Sequence, residues 1–227
     1  GIVDQVGTIG IRPHQPAAVV GISNTDSPAY RAGLRSFDLI TEVRGQPVPT
    51  YAELEKVIAE NRGETVPVAY LRPMRVEGAL GALGDLHVYE SGLAALTPET
   101  TGRDMQERTG MELADLYVAD VVDGSPEQRA GLQAADRIVD VDDVEVSGWS
   151  MYEELMLAAP LRPHTVAWLR EGTRMQATFQ PANGRLAVEH GTPPLRPVLG
   201  TRNWTHSQAE RAVGRPSLFR YALPEAI

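Results

Sequence analysis

The fold is decided by Ser125-Pro126-Glu127-Gln128-Arg129-Ala130-Gly131-Leu132-Gln133-Ala134-Ala135-Asp136-Arg137-Ile138, a near copy of Ser27-Pro28-Ala29-Tyr30-Arg31-Ala32-Gly33-Leu34-Arg35-Ser36-Phe37-Asp38-Leu39-Ile40. Val166-Ala167-Trp168-Leu169-Arg170 likewise resembles Val68-Ala69-Tyr70-Leu71-Arg72. Both pairs are separated by 98 positions, since 125 minus 27 and 166 minus 68 give the same value. A register held over this length indicates two copies of one module.

Each copy encodes a short helix that leads into a strand. Ser is a favoured N-cap, Pro fits the first helical position, and Gly is the usual left-handed residue just past a helix end. The Asp and the alternating apolar residues that follow indicate a turn and then a strand. A longer helix is predicted to begin at a capping box in each copy, Thr50 to Glu53 and Ser150 to Glu153.

Composition excludes several classes of protein. The 227 residues carry 21 basic and 30 acidic side chains, for a formal charge of -9, and show no basic stripe, so nucleic acid is not an expected partner. There is no cysteine, which removes disulfides and thiolate metal sites. The sequence contains no run of 18 apolar residues, the pattern that would indicate a membrane-spanning helix.

The spacing of the histidines and glycines does not match that of known catalytic or metal-binding motifs. The five histidines are scattered without an i, i+4 pair, so neither a helical zinc site nor a general base is indicated. Gly78, Gly81 and Gly84 recur in a loop that lacks the Lys and Ser or Thr of a phosphate-binding loop. We therefore predict no catalytic residue, no metal ligand and no cofactor in this chain.

The order of motifs resembles a bacterial PDZ domain: a glycine-containing loop, a strand, the Ser-Pro-x-x-x-Ala-Gly-Leu helix, an Asp-x-Ile strand entry and a longer helix. The resemblance implies an α/β (α+β) fold with two tandem PDZ-like domains, each a small, partly open β-barrel or sandwich with two helices. The expected divisions are a first domain at 1–98, a linker at 99–106, a second domain at 107–182 and an irregular, Pro-rich tail at 183–227.

Tandem modules followed by a Pro-rich tail resemble, more narrowly, the periplasmic region of the site-2 protease family of intramembrane zinc metalloproteases. This resemblance implies a location on the extracytoplasmic face of the bacterial inner membrane, with the tail leading towards a membrane segment. It also implies that zinc is bound by a parent catalytic domain, because the family's His-Glu-x-x-His motif is absent from this sequence. The expected partners are the parent transmembrane domain and a membrane-protein substrate or its C-terminal peptide.

The PDZ resemblance implies that an extended peptide adds as a strand to a sheet edge, with its terminal carboxylate held by a nest of backbone amides. The predicted first groove combines a loop with one helix face, at Ile9, Gly10, Ile11, Tyr51, Leu54 and Ile58. The predicted second groove also combines a loop with a helix face. Its loop residues are Gly110, Met111, Glu112 and Leu113, and its helix residues are Met151, Leu155 and Met156. Glu112 would repel a ligand carboxylate if it were poorly solvated, so we expect the first groove to bind better.

The expected role is to gate substrate access, by size exclusion or by recognition of a newly exposed C-terminus. Two alternatives remain open at this point. The chain could be a free-standing peptide-binding adaptor, or a scaffold whose modules pack together with both grooves closed. Apolar residues on a helix face lie in a core more often than in a pocket, which favours the scaffold for any single residue.

Overall fold

The computed structural model describes residues 15–76, 86–185 and 195–204, and it contains two modules of mixed α and β structure. The predicted fold class is confirmed. Across the described ranges, every helix is too short or too polar to cross a membrane.

The first module is built around a four-stranded antiparallel sheet and a separate pair of short strands. The sheet has the order β3-β2-β4-β5, and β1 pairs with β6. The elements are β1 (Val20–Gly21), α1 (Pro28–Arg31), β2 (Leu39–Val43), β3 (Gln46–Pro47), α2 (Tyr51–Glu60), β4 (Val66–Val76), β5 (Leu86–Leu96), α3 (Met105–Thr109) and β6 (Glu112–Leu113).

The second module repeats this plan after a 3₁₀ turn, Ala114–Leu116. Its main sheet has the order β11-β10-β8-β9, β7 pairs with β14, and β12 pairs with β13. The elements are β7 (Val118–Val121), α4 (Pro126–Arg129), β8 (Arg137–Val141), β9 (Val144–Glu145), α5 (Trp149–Ala158), β10 (His164–Arg170), β11 (Thr173–Phe179), β12 (Ala182–Arg185), β13 (Leu195–Val198) and β14 (Thr201–Asn203). Strands β13 and β14 lie inside the predicted irregular tail.

The repeated short helices form as predicted. The Ser27 and Ser125 side chains accept hydrogen bonds from the backbone N–H groups of Tyr30 and Gln128, and proline follows each serine. Gly131 follows α4 with φ +98°, a backbone conformation that residues with a Cβ rarely adopt. Local sequence is therefore sufficient to place these two helices.

The two long helices start differently. The Thr50–Glu53 capping box is present at α2, as predicted. The predicted box at Ser150 is wrong, because the N-cap of α5 is Gly148, two residues earlier, and the helix begins at Trp149. The backbone N–H of Trp149 donates instead to Asp115 Oδ2, at 3.0 Å. An acceptor from the 3₁₀ turn thus replaces the local serine.

Each module has its own apolar core. The first core draws on Met105 and Met111, which lie in the predicted linker and the predicted second domain. Its other large buried side chains include Leu34, Ile40, Leu54, Ile58 and Leu96, and those of the second core include Leu132, Ile138, Tyr152, Met156 and Trp168. The segment from β5 to β6 therefore completes the first module, and the proposed domain boundaries remain a prediction.

The same buried ion pair locks the short helix to the main sheet in both modules. In the second, Arg170 donates to both oxygens of Asp136 (2.7 and 2.6 Å) and to the carbonyl of Gly131 at 2.6 Å. In the first, Arg72 makes the equivalent contacts to Asp38 (2.8 and 2.7 Å) and to the Gly33 carbonyl at 2.8 Å. Two-point binding of a buried carboxyl group fixes the orientation of both side chains.

We expect Asp136→Ala to destabilise the second module by about 3 kcal/mol, because Arg170 loses its partner at a site from which water is largely excluded. Trp149 and Trp168 lie in the second core and Trp204 lies at the joint, so tryptophan fluorescence during urea unfolding reports mainly on this module. Glu154→Ala, which removes an exposed carboxyl group from α5, should change stability by less than about 0.5 kcal/mol. Equal midpoints for the two variants would contradict the locking role.

A pH dependence is expected from Asp142. Burial opposes ionisation of its carboxyl group, but the Thr165 N–H, His164 and Arg162 outweigh burial and hold its pKa below the ordinary value of 3.8. A carboxyl group with a lowered folded-state pKa stabilises the fold above its unfolded-state pKa, and this contribution is lost as the pH falls through the folded value.

Asp142→Asn should therefore be less stable than the parent chain at neutral pH, and the difference should shrink at about pH 3. Asn tolerates the left-handed backbone at this position, where φ is 51°, so the substitution isolates the charge. Urea unfolding midpoints at the two pH values measure the effect. A difference that stays constant with pH would refute it.

Candidate functional site

The helix residues of the predicted first groove lie on α2. Leu54 and Ile58 are fully buried in the first core, whereas Tyr51 is partly buried at its edge. The loop residues Ile9, Gly10 and Ile11 lie outside the described residues. Both edges of β1 are occupied, because β6 pairs with one edge and the backbone around Asp38 bonds to the other.

The loop and helix of the predicted second groove do not face each other in the structure. β6 pairs with β1 of the first module, with Leu113 opposite Val20 and Glu112 opposite Gly21, and Met111 is fully buried in the first core. The helix residues Met151, Leu155 and Met156 lie on α5 in the second module, with Met156 fully buried and the other two partly buried. The loop therefore faces α2, not the helix with which it was predicted to pair.

A strand that the sequence reasoning missed takes the corresponding place beside α5. β14 pairs with β7, and Thr201 lies opposite Val121. A Cβ added to Gly200 would lie 2.3 Å from Ser125 Cβ, and one added to Gly110 would lie 2.2 Å from Ser27 Cβ. These glycines therefore occupy equivalent positions, although 200 minus 110 is 90 and falls outside the repeat of 98. Because this spacing differs from the repeat, the equivalence of Gly110 and Gly200 could not be recognised from the sequence.

The unpaired edge of β6 faces the N-terminus of α2. Ala114 donates its N–H to the Val19 carbonyl at 3.1 Å, so the alternating backbone points the Leu113 N–H away from β1. The Tyr51 hydroxyl lies near this N–H, which opposes part of the rise in the Tyr51 pKa. Burial, followed by nearby Glu55, Glu112 and Asp104, raises the pKa of Tyr51 well above its ordinary value. The hydroxyl therefore stays protonated and lies across the strand edge.

The second module has a different contact between strand and helix. The hydroxyls of Tyr152 on α5 and Thr201 on β14 lie 3.1 Å apart, and both side chains are buried. Burial raises the pKa of Tyr152, so this group is also neutral. At the start of the helix, the Trp149 indole N–H donates to Glu153 Oε1 at 3.0 Å. The two grooves thus share a plan but differ in the side chains that line them.

The Glu112 carboxylate has two partners in the second module. Its Oε1 accepts a hydrogen bond from the Tyr117 hydroxyl at 2.7 Å and lies 2.6 Å from Arg137 Nε. Its side chain is 14% exposed. Arg137 compensates its charge, so Glu112 ties the first module's edge strand to the second module.

The backbone amides of the two glycine loops have partners within the chain. Gly110 donates to the Gln106 carbonyl at 2.7 Å, and Met111 donates to Thr109 Oγ1 at 3.1 Å. Gly200 donates to Glu127 Oε1 at 2.9 Å. In the described ranges, we find no group of three or more side chains that could hold a metal ion.

Comparison with known proteins assigns this architecture to a class. Residues 98–180 match the model of the PDZ domain, so the chain contains a PDZ domain, and the predicted resemblance is confirmed. A PDZ domain has no catalytic function of its own, and the first module repeats the same plan.

Three curated proteins resemble larger parts of the chain. A predicted zinc metalloprotease of Neisseria meningitidis serogroup A is 28% identical over 185 residues, covering 80% of this chain and 38% of that protein. The periplasmic pH-dependent serine endoprotease DegQ of Escherichia coli is 31% identical over 143 residues, covering 59% and 30%. A DegP-like periplasmic serine endoprotease of Halomonas elongata is 26% identical over 158 residues, covering 63% and 32%. The chain thus spans between 30% and 38% of the length of these relatives.

We expect Gly110→Ala to destabilise the first module by about 2 kcal/mol or more, because left-handed strain at φ +78° adds to the clash with Ser27. Gly45→Ala is a matched control, with φ +75° and no atom within 4 Å of the added Cβ, and should cost about 1 kcal/mol. Hydrogen exchange at the Ala114 amide, which pairs with Val19, reports on the displaced strand.

A second substitution identifies the clash as the cause. Ser27→Gly removes the opposing Cβ, and glycine at an N-cap costs only a few tenths of a kcal/mol. Adding Ser27→Gly to Gly110→Ala should therefore restore most of the lost protection at Ala114. Absence of any rescue would show that β6 is not held by this close contact.

Proposed function

We propose that this chain is the non-catalytic, extracytoplasmic tandem PDZ region of a site-2-type intramembrane zinc metalloprotease, where it gates access of membrane-protein substrates. The proposal rests on one observation above all. Each module places an edge strand, β6 or β14, beside its longer helix, and in the described ranges each of these strands pairs on one side only. An extended substrate segment can add to such an edge, and a folded domain cannot.

A fixed arrangement of the two modules supports size exclusion. Val19, Leu39 and Ala114 form a small buried cluster at the joint, against which Phe37 and Trp204 pack. The two aromatic rings are stacked with centroids 5.9 Å apart. Trp204 directly follows β14 and Ala114 directly follows β6, so both edge strands end at this joint. A filter needs such a fixed geometry, because a freely hinged pair of modules would open for any substrate.

The names of the relatives support a protease as the parent protein and the periplasm as the location. One is named as a zinc metalloprotease, and two are named as periplasmic proteases. Zinc would be bound by a catalytic domain elsewhere in the parent protein, and the parent's transmembrane domain would be the constant partner of this region. We infer the periplasmic side of the bacterial inner membrane as its location. A free-standing peptide-binding adaptor would use the same edges without a protease.

A scaffold with closed grooves is the second candidate, and the contact between Tyr51 and Leu113 favours it. The Tyr51 hydroxyl lies near the backbone N–H that an added strand would need. Strand addition in the first module therefore requires that this side chain turn away, and a scaffold requires that it stay.

The test uses the full-length protein in its membrane and two reporters that share one transmembrane segment. One reporter carries a folded extracytoplasmic domain of about 100 residues, and the other carries a short unstructured tail. Deletion of the region from 15 to 204 should raise cleavage of the bulky reporter by about tenfold and leave cleavage of the short one within about twofold. Glu154→Ala serves as the matched control and should change neither rate.

Two results would count against gating. Equal cleavage rates for the two reporters in the intact protein would contradict size exclusion. Loss of both activities on deletion, with the protein still inserted in the membrane, would instead indicate that the region is a structural scaffold.

A further inference from the structure

We propose that the second groove accepts an internal stretch of an extended chain and not a terminal carboxylate, because Glu127 already occupies the loop amide that a terminal carboxylate would use. This inference deepens the proposed function, since it rests on strand addition at β14 and names the class of segment that is bound.

Glu127 is an unusual residue for its position. It lies on α4 and its side chain is fully buried, at 0% exposure. The equivalent residue of the first module, 98 positions earlier, is Ala29, which is also fully buried. The fold therefore does not need a carboxyl group here, and burying one without full compensation is costly.

The Glu127 carboxyl group is directed at the loop that precedes β14. Its Oε1 accepts the Gly200 N–H at 2.9 Å, and its Oε2 has no hydrogen-bond partner in the described part of the chain. A Cβ placed on Gly200 would lie 2.7 Å from Oε2, so the carboxyl group fits directly under the loop backbone. The loop thus binds a carboxyl group that belongs to its own chain.

The first module closes the equivalent loop by different means. There Gly110 donates to the Gln106 carbonyl and Met111 donates to Thr109 Oγ1. The equivalent amides of Gly110 and Gly200 are therefore bonded by unrelated acceptors. A peptide carboxylate arriving at either loop would have to displace an internal partner, whereas a peptide backbone that pairs with the strand edge would not.

Glutamates on the helices add to this preference. Glu153 on α5 and Glu55 on α2 are equivalent exposed residues, 98 positions apart, on the helix flank that carries Trp149 and Tyr51. A terminal carboxylate bound beside them would be repelled, while the uncharged amides of an internal segment would not.

The experiment measures binding of one peptide sequence in three forms by the 227-residue chain. The probe is a fluorescein-labelled octapeptide of alternating Val and Thr that ends in Leu, made as the free acid, as the C-terminal amide, and with a Gly-Ser extension after the Leu. Fluorescence anisotropy should show affinities within about twofold of one another for the parent chain. A preference of about tenfold for the free acid would overturn the proposal.

Three variants test whether Glu127 is the reason that the chain does not prefer the free acid. Glu127→Ala installs the residue of the first module and frees the Gly200 amide, so affinity for the free acid should rise about tenfold over the amide. Glu127→Gln keeps an acceptor for Gly200 and should bind all three forms alike. Glu154→Ala removes an exposed carboxyl group of the same module and should also leave the three affinities equal.

Each remaining outcome is informative. No gain for the free acid in a Glu127→Ala chain that keeps the parent's tryptophan fluorescence would overturn the role of Glu127, although strand addition would stand. Failure of every variant to bind any probe would overturn strand addition itself, and with it this inference. Size exclusion would then be judged by the reporter experiment alone.

Discussion

The pairing of β6 with β1 is the interaction on which the arrangement of this protein depends. It brings a strand from position 112 back to position 20 and so closes the first core around Met111. Only the short turn from Ala114 to Leu116 then separates this strand from the second module, where β14 pairs with β7 in the same way. Each module is therefore completed by its last strand, and the two modules meet immediately where the first one ends.

This chain order couples the candidate sites to the joint between the modules. Glu112, on the edge strand of the first groove, is held by Tyr117 and Arg137 of the second module. Trp204, directly after the edge strand of the second groove, stacks on Phe37 of the first. A ligand that shifts either edge strand must also act on this shared contact, because both strands end in it. The buried Asp38–Arg72 and Asp136–Arg170 pairs meanwhile hold the short helices and sheets fixed.

The internal partners of the loop amides decide what the grooves can recognise. Backbone amides that lack acceptors would form a nest for a carboxylate, but Gln106, Thr109 and Glu127 already supply acceptors here. What remains available at the surface is a strand edge beside a helix, and we propose that it recognises backbone conformation more than chain termini.

The sequence by itself determined the mixed α/β class, the two copies and the short helices, because serine caps, prolines and glycines act on neighbouring residues through local backbone geometry. It also predicted the α2 capping box and placed Tyr51, Leu54 and Ile58 on one helix. Only the tertiary structure decided which strand completes which module. Gly110 and Gly200 find their places through close contacts with Ser27 and Ser125, far away in sequence, and the spacing between them departs from the repeat. Asp115 replaced Ser150 at the start of α5 for the same reason: a partner distant in sequence provided the better-placed acceptor.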